Sequence, residues 1–219
     1  MSSHHFVREG QEPALILANG TPCSMELLNE LVAWSPQIMV LDGAYFKAMD
    51  RQIQFDMLVG DFDSIGSIPP DFPFPVEVVH TPDQNKTDLQ KGLEIFLEKQ
   101  TEAVNILWAT GGRLDHQMAN LNVMAKFSSQ LTLNMIDDHT KIYPIKSPFK
   151  KYFKAGHQIS LIPMGAVTQV STTNLCYNLH NQTLETVGLI SSSNAVAHSG
   201  IVEITFESGV LFAMEGIDL

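Results

Sequence analysis

The segment Val59-Gly60-Asp61-Phe62-Asp63-Ser64 sets two carboxylates two positions apart, directly after an apolar run that ends in glycine. Hard oxygen donors so arranged suit a divalent cation and, through it, the phosphates of a ligand. An isolated Asp-x-Asp is explained equally well as a turn in which Asp61 caps backbone amides. Two more acids stand at comparable junctions. Asp42 follows Ile38–Leu41 and precedes Gly43, and Asp88 opens a helical segment after Asp83-Gln84-Asn85-Lys86-Thr87. Each has a plain explanation too, an Asp-Gly turn for Asp42 and a helix-dipole role for Asp88. Convergence shifts the balance, because several acids at one end of one sheet repel each other unless a cation binds them. A fourth junction reads Ala109-Thr110-Gly111-Gly112-Arg113-Leu114-Asp115-His116. Its paired glycines let amides approach phosphate oxygens, and Arg113 can bind them as a fork. Asp115 could hold a polar ligand group, while His116 reads slightly more readily as a partly buried, backbone-bonded histidine than as a catalytic one. No Gly-x-x-x-x-Gly-Lys-Ser/Thr loop occurs, which excludes the ordinary P-loop mode of nucleotide binding.

These junctions need a sheet to hold them. Apolar runs at Ala14–Ala18, Ile38–Leu41, Met57–Val59, Val76–Val79, Val104–Ala109 and Leu131–Ile136 alternate with helical patterns. That alternation predicts a largely parallel sheet covered by helices, with ligands collecting beyond the carboxyl ends of its strands. The helices expected are Ser24–Trp34, Thr87–Lys99 with Leu89, Leu93, Phe96 and Leu97 on one face, and a third carrying Leu114, Met118, Leu121 and Ala125. From Lys141 the texture changes to strand-like pieces at Lys141–Ile145, His157–Ile162, Val167–Thr172, Ile201–Phe206 and Val210–Met214, with Ser208-Gly209 as a hairpin turn. An antiparallel β domain is expected there, and Lys146–Lys154 with Pro148 reads as a boundary or surface loop.

A chain of 219 residues that is 44% hydrophobic can bury one substantial core or two small ones. Residues 1–140 carry 19 Asp/Glu against 8 Lys/Arg, whereas residues 141–219 carry 5 of each, so the net charge of -11 resides in the first part. An acidic chain has the wrong sign for a nucleic-acid backbone, and no nucleic-acid partner is expected. The start of the chain lacks the pattern of a signal peptide, and no run approaches the roughly 20 apolar residues that span a bilayer. With Cys23 and Cys176 far apart, the expectation is two free thiols, a cytoplasmic location and no membrane partner. His4 and His5 could bind a metal but read better as part of an amino-terminal tail.

In order and spacing, Asp42-Gly43-Ala44, Gly60-Asp61-Phe62-Asp63-Ser64-Ile65, Asp83-Gln84 with Thr87-Asp88 and Lys91, and Gly111-Gly112-Arg113-Leu114-Asp115-His116 with Asn120 resemble the thiamine pyrophosphokinases. Leu175-Cys176-Tyr177-Asn178-Leu179 and Ile190-Ser191-Ser192-Ser193-Asn194 extend the resemblance, which spans roughly residues 14–214. The sequence departs from the family at Tyr177, where some members have Trp, and at Asn85, where an acid often stands. The resemblance implies an amino-terminal three-layer α/β domain over 1–140 that binds ATP and Mg2+, and an antiparallel β-sandwich domain over 141–219 that helps bind thiamine. It also implies a homodimer with sites between subunits, and transfer of pyrophosphate from ATP to the thiamine hydroxyl. Asp61, Asp63 and Asp88 would hold the metal, with Asp42 behind them or as a further ligand. Asn19, Gly20, Gly43, Gly111, Gly112 and Arg113 would meet ATP and its phosphates. Gln84, Asp115, Tyr177, Ser193 and Asn194 would contact substrate. Two rivals use the same scaffold: a metal-dependent nucleotide hydrolase, and a non-catalytic nucleotide or thiamine sensor.

Overall fold

The structure, a computed structural model, describes residues 13–66 and 72–217, so His4 and His5 lie outside the described residues. The chain divides into two compact units, Met1–Asp137 and Asp138–Leu219.

In the first unit six strands run parallel: β1 (Ala14–Leu17), β2 (Ile38–Leu41), β3 (Met57–Gly60), β4 (Glu77–His80), β5 (Ala103–Leu107) and β6 (Thr132–Ile136). Their order is β4-β3-β2-β1-β5-β6. The sequences ALIL and IMVL of β1 and β2 are buried at every position, as strands covered on both faces must be. The direction of winding reverses beside β1, which has β2 on one side and β5 on the other. Loops leaving the two strands at such a reversal part from each other and open a crevice.

Helices α1 (Met25–Trp34), α2 (Tyr45–Asp50), α3 (Asp88–Glu98) and α4 (Leu114–Phe127) connect the strands. Ser24 caps α1 through Leu27 N–H, and Thr87 caps α3 through Gln90 N–H at 3.2 Å. Helix α3 buries Leu89, Leu93 and Phe96 at helical spacing, each contributing about 1.5–3 kcal/mol by leaving water. Two expectations change here. Helix α2 was not anticipated, because its six residues are too few to display a period. In α4 the buried positions are Val123, Met124 and Phe127, while Leu114 and Met118 are 70% and 56% exposed. The stripe read from the sequence is therefore not the face that packs.

The second unit contains β7 (Thr140–Ile145), β8 (Phe149–Phe153), β9 (Gln158–Thr173), β10 (Gln182–Glu185), β11 (Ser191–Ala195), β12 (Gly200–Thr205) and β13 (Ser208–Gly216), paired antiparallel. The first half of β9 pairs with β11 and β13, and β13 pairs with β7. Its second half pairs with β10 and β12, and β12 pairs with β8. Two layers thus share one strand, around a core that includes Ile159, Leu161, Val167, Val170, Val202, Ile204 and Leu211. This is the α/β-plus-β-sandwich fold class expected.

The pieces His157–Ile162 and Val167–Thr172 are one continuous strand. Pro163 and Gly165 suggest a break, but the chain bends through Gly165 (φ 86°) and Gln169 (φ 55°) without leaving the sheets. Within Lys146–Lys154 the expected loop is instead strand β8. Its alternation places Phe149, Lys151 and Phe153 inward and Lys150 and Tyr152 outward, a pattern hidden by its lysines.

Candidate functional site

At the carboxyl ends of the parallel strands lies a cavity of about 410 Å³. Nine of the residues anticipated line it: Asn19 and Gly20 after β1, Gly43 after β2, Asp61 after β3, Gln84 and Asp88 before and at the start of α3, and Gly111, Arg113 and Asp115 after β5. Lys86, Lys91, His116 and Asn120 join them.

The carboxylates are organised around Asp42. Its side chain is buried, 3% exposed, and accepts hydrogen bonds from Gly43 N–H at 2.6 Å and Phe62 N–H at 3.0 Å. A Cβ at residue 60 would stand 2.4 Å from the Asp42 carboxyl carbon, so only glycine lets this acid lie across the end of β3. Burial, and after it the negative charge of Asp88, push the Asp42 carboxyl up to about 6, against gains from its two amides; Asp61 adds a smaller upward push. Asp61 is held down, first by the hydrogen bond from Gln84 Nε2 at 2.8 Å and then by Asp63 N–H at 3.2 Å. Between the two acids of the Asp-x-Asp pair, Phe62 takes a left-handed φ of 67° and stacks on His80 at 5.7 Å. A bulky residue in that conformation is strained, and here the strain sits at the turn that presents Asp61 and Asp63. Both readings of Asp61 therefore hold: it caps a turn and it faces the cavity. Asp63 is exposed. Among the described residues no cluster of three His, Cys, Asp or Glu side chains stands at metal-binding spacing.

Asp88 bonds Lys91 Nζ at 3.1 Å, and that lysine is only 5% exposed. The sequence pattern gives Lys91 no role, and its burial at the cavity wall is what marks it. After β5 come Gly111 and Gly112, with φ of 71° and 68°, a left-handed stretch of backbone that glycine adopts at no steric cost. Asn120 Nδ2 donates to Ala109 O at 2.9 Å, and Thr110 Oγ1 to Asp137 at 2.8 Å, fixing this turn.

Four residues behave differently from expectation. Gly20 does not offer its backbone to phosphate: its N–H donates to Trp108 O and its carbonyl accepts from Lys47. The Arg113 guanidinium is engaged with Asp115 through Nε at 3.1 Å and a second bond at 2.5 Å, which holds Asp115 at about 2. His116 is exposed on the cavity and not partly buried. Asn194, in the second unit, is 2% exposed and already committed: its Oδ1 accepts from Tyr177 and Ala195 N–H, and its Nδ2 donates to Tyr177 O at 2.8 Å. It shapes the turn that presents Tyr177, which is 77% exposed. Ser193, with φ 53°, is exposed beside it.

Fold and cavity together define a parallel α/β protein whose ligand crevice gathers carboxylates and glycine turns at a strand-order reversal, joined in sequence to a β-sandwich unit. Residues 28–136 match the family model described as thiamin pyrophosphokinase, catalytic domain, and residues 146–211 match its vitamin B1 binding domain. Thiamine pyrophosphokinase 3 of Oryza sativa subsp. japonica is 30% identical over 75% of this chain and 67% of its own length. Thiamine pyrophosphokinase 1 of the same organism is 30% identical over 73% of the chain and 65% of its length, so the chain spans about two thirds of these relatives. The crystal structure of yeast thiamin pyrophosphokinase superposes with a TM-score of 0.81 at 17% identity, covering 97% of this chain and 88% of that one. The chain belongs to the thiamin pyrophosphokinase family.

Proposed function

We propose that this protein transfers the pyrophosphoryl group of ATP to the hydroxyl of thiamine, giving thiamine diphosphate and AMP. The observation that carries the reading is that Asp61 and Asp88 line one cavity with Asp42 buried behind them, its carboxyl raised first by that burial and then by the charge of Asp88. Such a donor set, all oxygen and all anionic, fits Mg2+, with Asp61, Asp63 and Asp88 as its holders and Asp42 fixing the turn behind them. When bound, the metal supplies neutralisation of the phosphates and of the charge that develops during transfer.

The chain's own residues bind and orient. Gly111 and Gly112 turn amides to the phosphates, and Lys91 adds a buried positive charge. Arg113 reaches phosphate by exchanging Asp115, which leaves Asp115 for a polar group of the substrate. Gln84 holds Asp61 in place and borders the path of the attacking hydroxyl. The thiamine hydroxyl then attacks the β-phosphorus in line, its proton passes to solvent or a phosphate oxygen, and AMP leaves. Tyr177 offers an aromatic face to the cationic thiazolium, with Ser193 beside it and Asn194 acting through the turn. We take residues 1–140 to carry the ATP site and 141–219 the thiamine contacts, in a homodimer whose sites lie between subunits. The exposed thiol of Cys176 suits a reducing cytoplasm, and no helix among the described residues is long and apolar enough to cross a membrane.

The test is incubation with ATP, Mg2+ and thiamine followed by product identification. Thiamine diphosphate and AMP are expected. Phosphate or ADP released without need of thiamine would instead indicate a hydrolase, and binding without turnover a sensor.

A further inference from the structure

Lys47 on helix α2 and Arg51, the residue that caps its carboxyl end, stand one turn apart, and both reach the loops that wall the cavity. Lys47 Nζ donates to Asn19 O at 2.9 Å, to Asn19 Oδ1 at 2.8 Å and to Gly20 O at 2.9 Å. An ammonium has three protons, so none remains for a ligand. The peptide groups it grips are also held at their other ends. Gly20 N–H donates to Trp108 O, and Thr21 N–H donates to Thr110 O at 2.8 Å. Two successive peptide planes are therefore fixed between Lys47 on one side and the turn after β5 on the other. Arg51 continues the brace: its guanidinium lies 5.5 Å from the centre of the buried Trp108 ring, and it donates to Lys47 O at 3.2 Å. The Asn19 side chain so positioned packs on Gly43, where a Cβ would come within 2.3 Å of the Asn19 amide nitrogen.

We propose that Lys47 is a positioning residue for the nucleotide side of the cavity, holding the Asn19–Gly20 turn in place without touching the ligand. The inference rests on reading the cavity as the ATP site. Its electrostatic consequence is specific to an anionic ligand. Three oxygens that Lys47 neutralises stand beside a cavity meant for a polyanion, and without the ammonium their partial charges would oppose it. A cationic substrate would feel no such penalty. The core under α2 does not depend on this side chain, since Tyr45 and Ala48 are its buried residues and Tyr45 packs edge-on against Phe55 at 6.5 Å.

The experiment compares wild type with Lys47→Met in the full chain, measuring kcat, the KM of each substrate and the melting temperature. The KM for ATP should rise about tenfold, while kcat and the KM for thiamine stay within about twofold. An unchanged KM for ATP, or an equal rise for thiamine, overturns the proposal and leaves Lys47 a structural prop. Should Lys47→Met fail to fold, Lys47→Gln, one atom shorter but with two donors, should give an intermediate KM for ATP; a wild-type value overturns the proposal. If wild type itself forms no thiamine diphosphate, the underlying reading fails separately. Titration of wild type and variant with Mg-ATP then still decides the matter, equal affinities being the result that overturns it.

Discussion

Asp42 is the residue at which the chemistry and the stability of this protein meet. Its carboxyl is raised from 3.8 to about 6, chiefly by burial and then by Asp88. A raised acid binds its proton more tightly folded than unfolded, so between those values the folded state holds more protons and stability falls as pH rises. The loss, up to about 3 kcal/mol, should be complete above pH 6 and absent below about pH 4. Denaturation of wild type and Asp42→Asn across that range checks this: the variant should gain on wild type as pH rises, and a constant difference would contradict it. The neighbouring acids do other work. Asp61→Asn, Asp63→Asn and Asp88→Asn should each lower kcat about 100-fold or more, with melting temperatures near that of wild type, because each removes charge from the proposed metal site and none removes core packing. Near-normal turnover at saturating Mg2+ would release that residue from metal binding.

At the scale of elements, most of what positions the site was legible, and the failures have physical causes. Strands β1, β2, β3, β5 and β6 announced themselves as short apolar runs because a parallel strand is buried on both faces. Asp42 and Asp61 were readable because each closely follows such a run, and Asp88 because it opens a helix. What was not readable is how loops use their own backbones. Gly20 looked like a phosphate turn, yet it is glycine because two loops touch there: a Cβ would meet Thr110 O at 2.3 Å and Trp108 O at 2.4 Å. Gly20→Ala should therefore cost about 1–3 kcal/mol in chemical denaturation and weaken ATP, with thiamine less affected. Helix α2, too short to show a period, and the residue that caps it supplied the basic pair that no spacing rule flagged. The turn at Tyr177 repeats the lesson. Asn194 looked like a ligand contact, but its amide is consumed by the backbone of Tyr177 and Ala195. Tyr177→Ala should raise the KM for thiamine by about 1–2 kcal/mol equivalent at unchanged stability. Asn194→Ala should do the same while lowering the melting temperature, and the double variant should show no further rise in that KM. Additive effects on KM would mean that Asn194 meets thiamine directly.

For the molecule as a whole, charge and architecture divide along the chain. The acidic excess belongs to the portion that ends in cavity carboxylates, and the balanced portion builds the β-sandwich. Strands β12 and β13 lie in different layers of that sandwich, yet both are bonded to β9. A protein whose two sheets are separate ribbons can open one and keep the other. Here neither layer can be lifted away without removing a hydrogen-bonding rail from its counterpart, so the unit has no half-open form to rest in. Native-state hydrogen exchange should accordingly report one shared opening free energy for amides of β12 and β13, and clearly different values would show the layers opening apart. A surface that presents Tyr177 from such a unit is then either wholly formed or wholly lost, which makes the availability of the proposed thiamine contact an all-or-none property of the fold and not a matter of local loop order.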